Sequence, residues 1–199
     1  MQYLECVVGC SSGKKMMNLV LETSRLYIRH WQKEDAEHFA ELNADPEVMR
    51  YLPKVLTREE SDHLLRIVQE GIDKHGMGFW AVEIKQTRTF IGFVGIAPVD
   101  DNLPCAPNTE IGWRLIRAAW GNGYATEAAL ACLNLAFQHY HLPEVVAFTA
   151  VENQRSRAVM QKLGMIYNKA DDFDHPVLAV DSPIRRCVLY RIENPIKDS

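Results

Sequence analysis

The most informative run of residues reads Trp120-Gly121-Asn122-Gly123-Tyr124-Ala125-Thr126-Glu127-Ala128. It follows directly on a strand-like stretch, residues 110–116, and its apolar positions continue at helical spacing. Glycines can adopt backbone conformations that are closed to residues with a side chain. Successive N–H groups can therefore converge on one anion, while the helix that follows presents its positive end. This run predicts a phosphate-binding loop at the start of a helix.

A second segment, about one strand further along, indicates which phosphate ligand is bound. It reads Asn153-Gln154-Arg155-Ser156-Arg157-Ala158-Val159-Met160-Gln161-Lys162-Leu163-Gly164-Met165. Together the two segments resemble the acetyl-CoA-binding signature of the GCN5-related N-acetyltransferase (GNAT) superfamily. Their residues are similar to those of the RimJ/RimL-like branch, which contains the ribosomal-protein N-terminal acetyltransferases. A lone Gly-x-Gly favours glycines that only turn the chain into a helix, whereas the pair of segments favours the cofactor.

The resemblance covers roughly residues 19–192, and it has one departure in the phosphate loop. The superfamily pattern is Gln/Arg-x-x-Gly-x-Gly/Ala, and Ala118 stands where that pattern has a long polar residue, next to Arg117. The resemblance therefore implies that backbone N–H groups, rather than a side chain at position 118, hold the pyrophosphate.

Composition is that of an ordinary globular protein. A chain of 199 residues with 47% hydrophobic and 24% charged content is long enough for one domain with a sizeable core. The net charge of −4 argues against a general nucleic-acid binder, and amine-bearing partners fit better. An odd number of cysteines, five, without a Cys-x-x-Cys pair favours a reducing cytoplasm.

Residues 1–18 precede the family-like sequence. The apolar run at residues 4–10 is very short and no positive residue precedes it, so the sequence predicts neither secretion nor membrane anchoring. We expect a dispensable N-terminal extension, residues 1–18, and a single N-acetyltransferase domain, residues 19–195.

Periodicity predicts two helices before most of the sheet and two within it. The predicted strands are residues 19–29 with an interruption at 22–24, 79–85, 90–99, 110–116, 145–150, 165–169 and 185–192, and the predicted helices are residues 33–43, 58–75, 125–140 and 155–163. The spacing of Thr57 and Glu60 predicts a capping box, and Leu64, Leu65, Ile67 and Val68 are expected to turn inward from the helix that follows. This order matches the GNAT fold, an α/β fold of the α+β kind. That fold has a mixed, mostly antiparallel central sheet with helices on both faces, and its splayed central strands bind acetyl-CoA.

Acetyl transfer from a thioester to an amine requires an anchored co-substrate and a stabilised oxyanion. We expect the pyrophosphate to be held by the backbone N–H groups of Trp120, Gly121, Asn122, Gly123, Tyr124, Ala125 and Thr126, where the helix end contributes about 1 kcal/mol. The strand at 110–115 is expected to bind the pantetheine arm as an added strand would, with an N–H of Trp113, Arg114 or Leu115 facing the thioester carbonyl. The resemblance implies that a bulge there splays this strand from residues 145–150.

The second segment supplies two polar candidates. Asn153 carries a donor and an acceptor that match the amide-rich pantetheine arm, and its alternative role is a turn or cap residue. Many acetyltransferases protonate the departing thiolate with a tyrosine, but this chain has Met160 at that position. The resemblance therefore implies Ser156 as proton donor, or as a hydroxyl that orients the sulfur. Helix N-capping is the alternative role for Ser156.

Glu110, at the start of the central strand, is the candidate base. Related enzymes often have a carboxylate there that accepts the proton of the amine directly or through water, whereas a salt bridge at a sheet edge is the alternative. A lysine-type amine has a pKa of about 10.4 and an α-amino group about 7.7–8.0, so the former needs more help to lose its proton.

The remaining expectations concern partners and rival functions. None of the cysteines lies in the reactive stretches, which favours direct attack in a ternary complex over an acyl-cysteine route. The histidines lack paired ligand spacing, so we expect no metal.

Phe173-Asp174-His175-Pro176 either closes over the acceptor or forms a turn at the proline. We expect acetyl-CoA as co-substrate and a peptide N-terminus or small-molecule amine as acceptor, without nucleic acid or membrane, in a monomer or homodimer. A non-catalytic acetyl-CoA sensor and a dinucleotide-binding domain are the rivals.

Overall fold

The computed structural model describes residues 19–195, so the predicted extension at 1–18 lies outside the described residues. The strands are β1 Leu19–Glu22, β2 Leu26–Arg29, β3 Phe79–Ile84, β4 Thr89–Pro98, β5 Thr109–Leu115, β6 Glu144–Ala150, β7 Ile166–Tyr167, β8 Phe173–Asp174 and β9 Arg186–Glu193. The helices are α1 Asp35–Ala44, α2 Arg58–His75, α3 Tyr124–Gln138 and α4 Gln154–Lys162, with short 3-10 turns at Arg117–Ala119 and Lys169–Asp171.

One twisted sheet contains all of these strands. Its order is β1-β2-β3-β4-β5-β6-β9-β7, and β8 pairs with β9 beside β7. Every pairing is antiparallel except β5 with β6, which is parallel. The expected mixed, mostly antiparallel sheet is confirmed.

Helices cover both faces of the sheet. Strand β4 is buried at every residue from Phe90 to Ile96, which requires apolar cover on each side. On one face Phe39 of α1 lies against Phe93, with ring centroids 5.9 Å apart. The other face of β4 and β5 is covered by α3. Strand β5 is therefore held rigidly in the centre of the molecule.

The capping box that begins α2 is confirmed. The Thr57 hydroxyl accepts from the Glu60 N–H at 3.2 Å, and the Thr57 N–H donates to the Glu60 carboxylate at 2.9 Å. Leu65 is buried and Leu64 and Val68 are partly buried against the core.

The prediction that Ile67 turns inward is wrong, because its side chain is 49% exposed. At 100° per residue the inward stripe of α2 runs through Ser61, Leu65 and Ile72, and position 67 lies on the far side of the helix.

The first predicted strand is two strands. Instead of continuing through the interruption at residues 22–24, β1 folds back on β2, pairing Leu21 with Ile28 and Glu22 with Tyr27. The Thr23 N–H donates to the carbonyl of Leu26 at 3.0 Å and closes the turn. A polar interruption of an apolar run is thus a hairpin turn here.

The central strands diverge, as expected, but without the expected bulge. Strands β5 and β6 share one register pair, Glu110 with Val146. The ladder of β5 with β4 runs unbroken from Leu115 to Thr109, and the register shift in this half of the sheet lies between Val82 and Glu83 of β3. Strand β6 instead pairs along its full length with β9. Each central strand follows the twist of its own antiparallel partner, and this opens the cleft.

Candidate active site

The cleft between β5 and β6 exposes backbone groups of β5. Antiparallel residues alternate between pairs that exchange hydrogen bonds and pairs that do not. The Ile116 N–H donates to the carbonyl of Ile91 at 2.9 Å, which sets the alternation along the ladder. By that alternation Arg114 is bonded to β4, while the amides of Trp113 and Leu115 point towards β6. Of the three amides predicted to face a thioester, Trp113 and Leu115 have the right direction and Arg114 does not.

The phosphate-binding loop has the backbone that the sequence predicted. Gly121 and Gly123 have φ values of 77° and 79°, in the left-handed region that side chains disfavour. The first intrahelical bond of α3 runs from the Glu127 N–H to the Gly123 carbonyl at 3.0 Å. The N–H groups of Tyr124, Ala125 and Thr126 precede it and have no partner within the helix. No side chain among residues 19–195 caps this end.

The Trp120 amide differs from the prediction. Its N–H donates to the carbonyl of Arg117 at 3.0 Å inside the short 3-10 turn, so it is not free for a phosphate. The indole N–H of Trp120 donates to the carbonyl of Leu115 at 2.8 Å. Trp120 therefore fastens the glycine loop to the end of β5, and the amides that stay candidates for binding a phosphate begin after it.

Glu127 was missed by the sequence reasoning and connects this loop to the β1–β2 turn. Its carboxylate accepts from the hydroxyls of Thr23 and Ser24 at 2.6 and 3.0 Å, and from the N–H and Nε of Arg25 at 2.9 and 2.6 Å. Burial raises its pKa, but these four hydrogen bonds together lower it below the ordinary value. The signal in the sequence is an acid in the first turn of a helix that is meant to bind an anion, which demands a neutralising partner.

Arg25 completes this connection. Its Nη1 donates to the Asn122 carbonyl at 3.0 Å, and its guanidinium lies 4.6 Å from the centroid of the Tyr124 ring. The turn before β2 thus stabilises the loop between the two left-handed glycines.

Asn153 caps α4 and also holds Ser156. Its Oδ1 accepts from the Ser156 N–H at 3.2 Å, and its Nδ2 donates to the hydroxyls of Thr149 and Ser156 at 2.9 and 3.1 Å. Both roles considered for Asn153 remain compatible, since the cap uses one lone pair of Oδ1 and leaves the other. The capping alternative for Ser156 is wrong, because Asn153 is the cap and Ser156 lies in the first turn. The Ser156 oxygen accepts a hydrogen bond, so its own proton is free to point elsewhere.

Glu110 is a half-buried carboxylate without a positive partner. Burial raises its pKa to about 7, and the nearby charge of Asp100 contributes in the same direction. Among residues 19–195 no Lys, Arg or His forms an ion pair with it, so the salt-bridge alternative finds no support there. A carboxyl group with this pKa can take and release a proton near neutral pH.

The chain was compared with known families and structures. A family model described as an acetyltransferase (GNAT) domain matches residues 25–166. The chain belongs to the GNAT acetyltransferase family. An uncharacterized protein of Bacillus subtilis, YkkB, is 33% identical over 150 residues, which are 75% of this chain and 86% of that protein.

Two solved structures place the fold. A GNAT-family acetyltransferase from Bacillus anthracis is 25% identical with a TM-score of 0.73, covering 87% of this chain and 97% of that one. A ribosomal-protein-S5-alanine acetyltransferase from Vibrio fischeri shares the fold at 20% identity and a TM-score of 0.68, covering 90% and 98%. The family is confirmed, and the chain is an acetyl-transferring enzyme. Its similarity to the RimJ/RimL-like branch stays a prediction. Members of the GNAT family take the acetyl group from acetyl-CoA.

The features of this GNAT domain fit that co-substrate. A pocket of about 510 Å³ lies beside the phosphate loop and is lined by Asp45, Glu47, Arg117, Ala118, Trp120 and Arg155. The guanidinium of Arg155 lies 4.4 Å from the Trp120 ring centroid, and Arg117 approaches Asp45 at 4.0 Å. Two arginines therefore flank the position where Ala118 lacks a long polar side chain.

The segment before the last strand is both strand and turn. Phe173 and Asp174 form β8, and a turn follows at Pro176, which is the alternative expected for this motif. Phe173 packs with Val99 and Val146 in a second apolar cluster, at the end of the sheet where Glu110 lies. Closure of this segment over an acceptor stays a prediction.

The cysteines of the described region are buried free thiols. They are Cys105, Cys132 and Cys187. Burial raises the pKa of each, to about 11 for Cys187. A thiol that stays protonated is a poor nucleophile.

Neither a membrane-spanning helix nor a metal-ligand cluster is found among residues 19–195. No helix in that range has the length and apolar character needed to cross a bilayer. Within the same range no three His, Cys, Asp or Glu side chains are grouped as metal ligands would be.

Proposed function

We propose that this protein transfers the acetyl group of acetyl-CoA to a primary amine, on a protein N-terminus or a small molecule, by direct attack within a ternary complex. The observation that carries the proposal is Glu110. It is a carboxylate with no cationic partner in the described chain and a pKa raised by burial to about 7, at the start of the strand that edges the cleft. Its place in the cleft is that of a base for an amine.

Glu110 receives the proton of the incoming amine, directly or through water. An α-amino group with a pKa of about 7.7–8.0 is well matched to a base near 7, whereas a lysine-type amine near 10.4 is a harder task. The pKa of Glu110 therefore favours acceptors whose amine is weakly basic.

In this proposal the amides of Trp113 and Leu115 donate to the thioester oxygen as negative charge develops on it. Their direction towards the cleft follows from the ladder of β5 with β4. One such donor is worth roughly 10²–10³ in rate in other acyl-transfer enzymes.

Ser156 protonates the departing thiolate or orients its sulfur. The Asn153 amide donates to the Ser156 oxygen at 3.1 Å, which turns the hydroxyl proton away from Asn153 and leaves it available to a bound thiolate. The same Asn153 side chain retains one lone pair that fits an N–H of pantetheine.

The amides of Gly121, Asn122, Gly123, Tyr124, Ala125 and Thr126 hold the pyrophosphate, and Arg117 and Arg155 supply positive charge beside them. Buried, protonated cysteines favour direct attack over an acyl-cysteine intermediate, and free thiols fit a cytoplasmic enzyme. Residues 19–195 form the whole catalytic domain in this proposal.

Release of coenzyme A thiol, measured across a panel of peptides and small amines, tests the proposal. We expect acetyl-CoA to be turned over only when an amine is present, with a mass increase of one acetyl group on that amine. Tight binding of acetyl-CoA with no acetylated product from any amine would instead favour the non-catalytic sensor.

A further inference from the structure

Arg114 lies between the two residues whose amides face the cleft. Its side chain points to the α1 face of the sheet, where Nη1 donates to the Asn43 side-chain oxygen Oδ1 at 2.5 Å. Its guanidinium also lies 5.2 Å from the centroid of the Phe93 ring. The cation is therefore fixed at the level of the reaction centre that the proposed function assigns.

No carboxylate of the described chain neutralises this cation. Among residues 19–195 no Asp or Glu lies within ion-pair distance of Arg114. Its pKa is lowered to about 10, and burial is the cause. An isolated charge that loses water without a partner costs several kcal/mol in typical proteins.

Arg29 shows how the same protein treats an arginine that is only structural. Its side chain is 3% exposed and donates to both oxygens of Asp35 at 2.7 and 2.8 Å and to Glu83 at 2.9 Å. Burial works against its charge, but these two carboxylates outweigh it and raise its pKa. The chain thus pairs one buried guanidinium twice and leaves Arg114, beside the cleft, with a neutral amide.

The position of Arg114 relative to Glu110 indicates which kind of acceptor could pair with both charges. The two residues are four apart on β5 and face the same side, so their Cα atoms are about 13 Å apart at about 3.3 Å per residue. The Phe79 ring lies over Gly112, between the two residues, so an acceptor that reaches both would extend across that ring from the carboxylate to the guanidinium. The planar fork of arginine matches a carboxylate with two parallel hydrogen bonds.

We propose that Arg114 binds a carboxylate of the acceptor, so that the preferred substrate is a primary amine with a carboxylate a few bonds from its nitrogen. This inference rests on the proposed function and narrows its acceptor class. Free amino acids and peptides with an acidic first residue both offer this chemistry, and the test separates them.

The test uses acceptors in pairs that differ in one carboxylate, with rates compared per unprotonated amine because the carboxylate also changes the basicity of the amine: an amino acid and its amide, and a peptide beginning with Asp and one beginning with Asn. For the wild-type enzyme we expect kcat/KM to be at least tenfold higher for the acid in one of the pairs, and that pair identifies the source of the carboxylate. Arg114→Gln should lower kcat/KM for the acid about 10- to 100-fold and change the neutral partner by less than threefold. Arg114→Lys keeps the charge without the fork and should fall between the two.

Arg66→Gln is the control, because Arg66 is an exposed arginine of α2. It should leave the acid-to-neutral ratio unchanged. Equal losses on both members of each pair in Arg114→Gln would make Arg114 a structural link to α1 and overturn the inference. A wild-type enzyme that shows no preference for the acid in either pair would overturn it without any variant.

Calorimetric binding of the same pairs to the protein loaded with coenzyme A separates this inference from the proposed function. Selective binding of the acid that is lost in Arg114→Gln supports the inference even if no product forms, and in that case the proposed function fails alone. Turnover without selectivity for the acid overturns the inference alone. Neither turnover nor selective binding overturns both.

Discussion

Substitution of Glu110 by Gln should lower activity and raise stability at the same time. The carboxylate is half-buried without a cationic partner in the described chain, and its pKa is raised to about 7. If the ionised form is the base, about a tenth of the enzyme is competent at pH 6 and about nine tenths at pH 8. We therefore expect wild-type kcat/KM to rise roughly tenfold between these pH values. Gln cannot take a proton, so kcat should fall about 10²- to 10⁴-fold and this rise should disappear.

The stability effect follows from proton linkage. Glu110 has an ordinary pKa of 4.5 in the unfolded chain and about 7 when folded, so the folded state binds this proton more tightly. Its contribution to the free energy of unfolding is most favourable below pH 4.5. That contribution is lost as pH rises towards 7 and stays constant above. The difference of about 2.5 pKa units sets an upper limit of about 3 kcal/mol, and partial exposure reduces it to about 1–3 kcal/mol.

Glu110→Gln removes this cost at neutral pH and leaves a polar group of the same shape. At pH 8 we expect the variant to unfold about 3–10 °C above wild type, and at pH 4 to show no such gain. Thermal denaturation followed by circular dichroism at both pH values measures this, and coenzyme A release from pH 5.5 to 8.5 measures the activity. Asp100→Asn should shift the rise of activity to lower pH than in the wild-type enzyme. The charge of Asp100 is the smaller of the two causes that raise the pKa of Glu110, and this variant removes it.

Two results would refute the reasoning. A Glu110→Gln enzyme that is less stable than wild type at pH 8 would mean that the carboxylate has a favourable partner after all. A variant with unchanged kcat and an unchanged pH profile would remove Glu110 from the chemistry. Glu70→Gln, at an exposed glutamate of α2, is the matched control and should change neither measurement.

Three further predictions concern the co-substrate. Asn153→Asp keeps the oxygen that caps α4 but removes the amide that donates to Ser156. We therefore expect kcat to fall about tenfold, while the melting temperature and the KM for acetyl-CoA stay close to wild type. An equal loss of affinity for acetyl-CoA would assign Asn153 to pantetheine instead. Gly123→Ala should cost about 1 kcal/mol of stability and weaken acetyl-CoA binding, measured by calorimetry. Gly76→Ala is the control, since Gly76 ends a helix with a left-handed φ of 69°, and it should cost as much stability but leave binding unchanged. Glu127→Gln should raise the KM for acetyl-CoA about three- to tenfold with little change in kcat, because the anchored turn is lost but the reacting groups are not; a fall in kcat alone would contradict this.

The local chemistry of this chain was readable from its sequence. Two glycines after a strand predicted the left-handed loop, and the spacing of Thr57 and Glu60 predicted the start of α2. These features depend on residues within one or two turns of each other, where backbone preferences and capping decide the structure. The family resemblance supplied the order of the strands and the open cleft.

Contacts between distant segments were not readable. Glu127 is bound by residues more than a hundred positions earlier. Arg114 was expected to contribute a backbone amide to the cleft, but that amide is hydrogen-bonded to β4 by the register of the sheet. Its side chain, which contacts α1, is instead the group proposed to bind the acceptor. The inward prediction for Ile67 failed because the buried stripe of α2 is centred on Ser61, Leu65 and Ile72, and Ile67 lies beyond its edge.

The opening of the cleft is a consequence of pairing rather than of a local distortion in β5. Strand β5 is locked to β4 over seven register pairs and β6 to β9 over seven, while β5 and β6 share one. A bulge in β5 would move the amides of Trp113 and Leu115 relative to the phosphate loop, whereas an unbroken ladder keeps them in line with Trp120, which hydrogen-bonds the Leu115 carbonyl. Trp120→Phe keeps an aromatic ring, smaller than the indole, and removes that hydrogen bond. It should therefore lower kcat and acetyl-CoA affinity together, because it removes a hydrogen bond that links the proposed phosphate loop to the strand proposed to face the thioester.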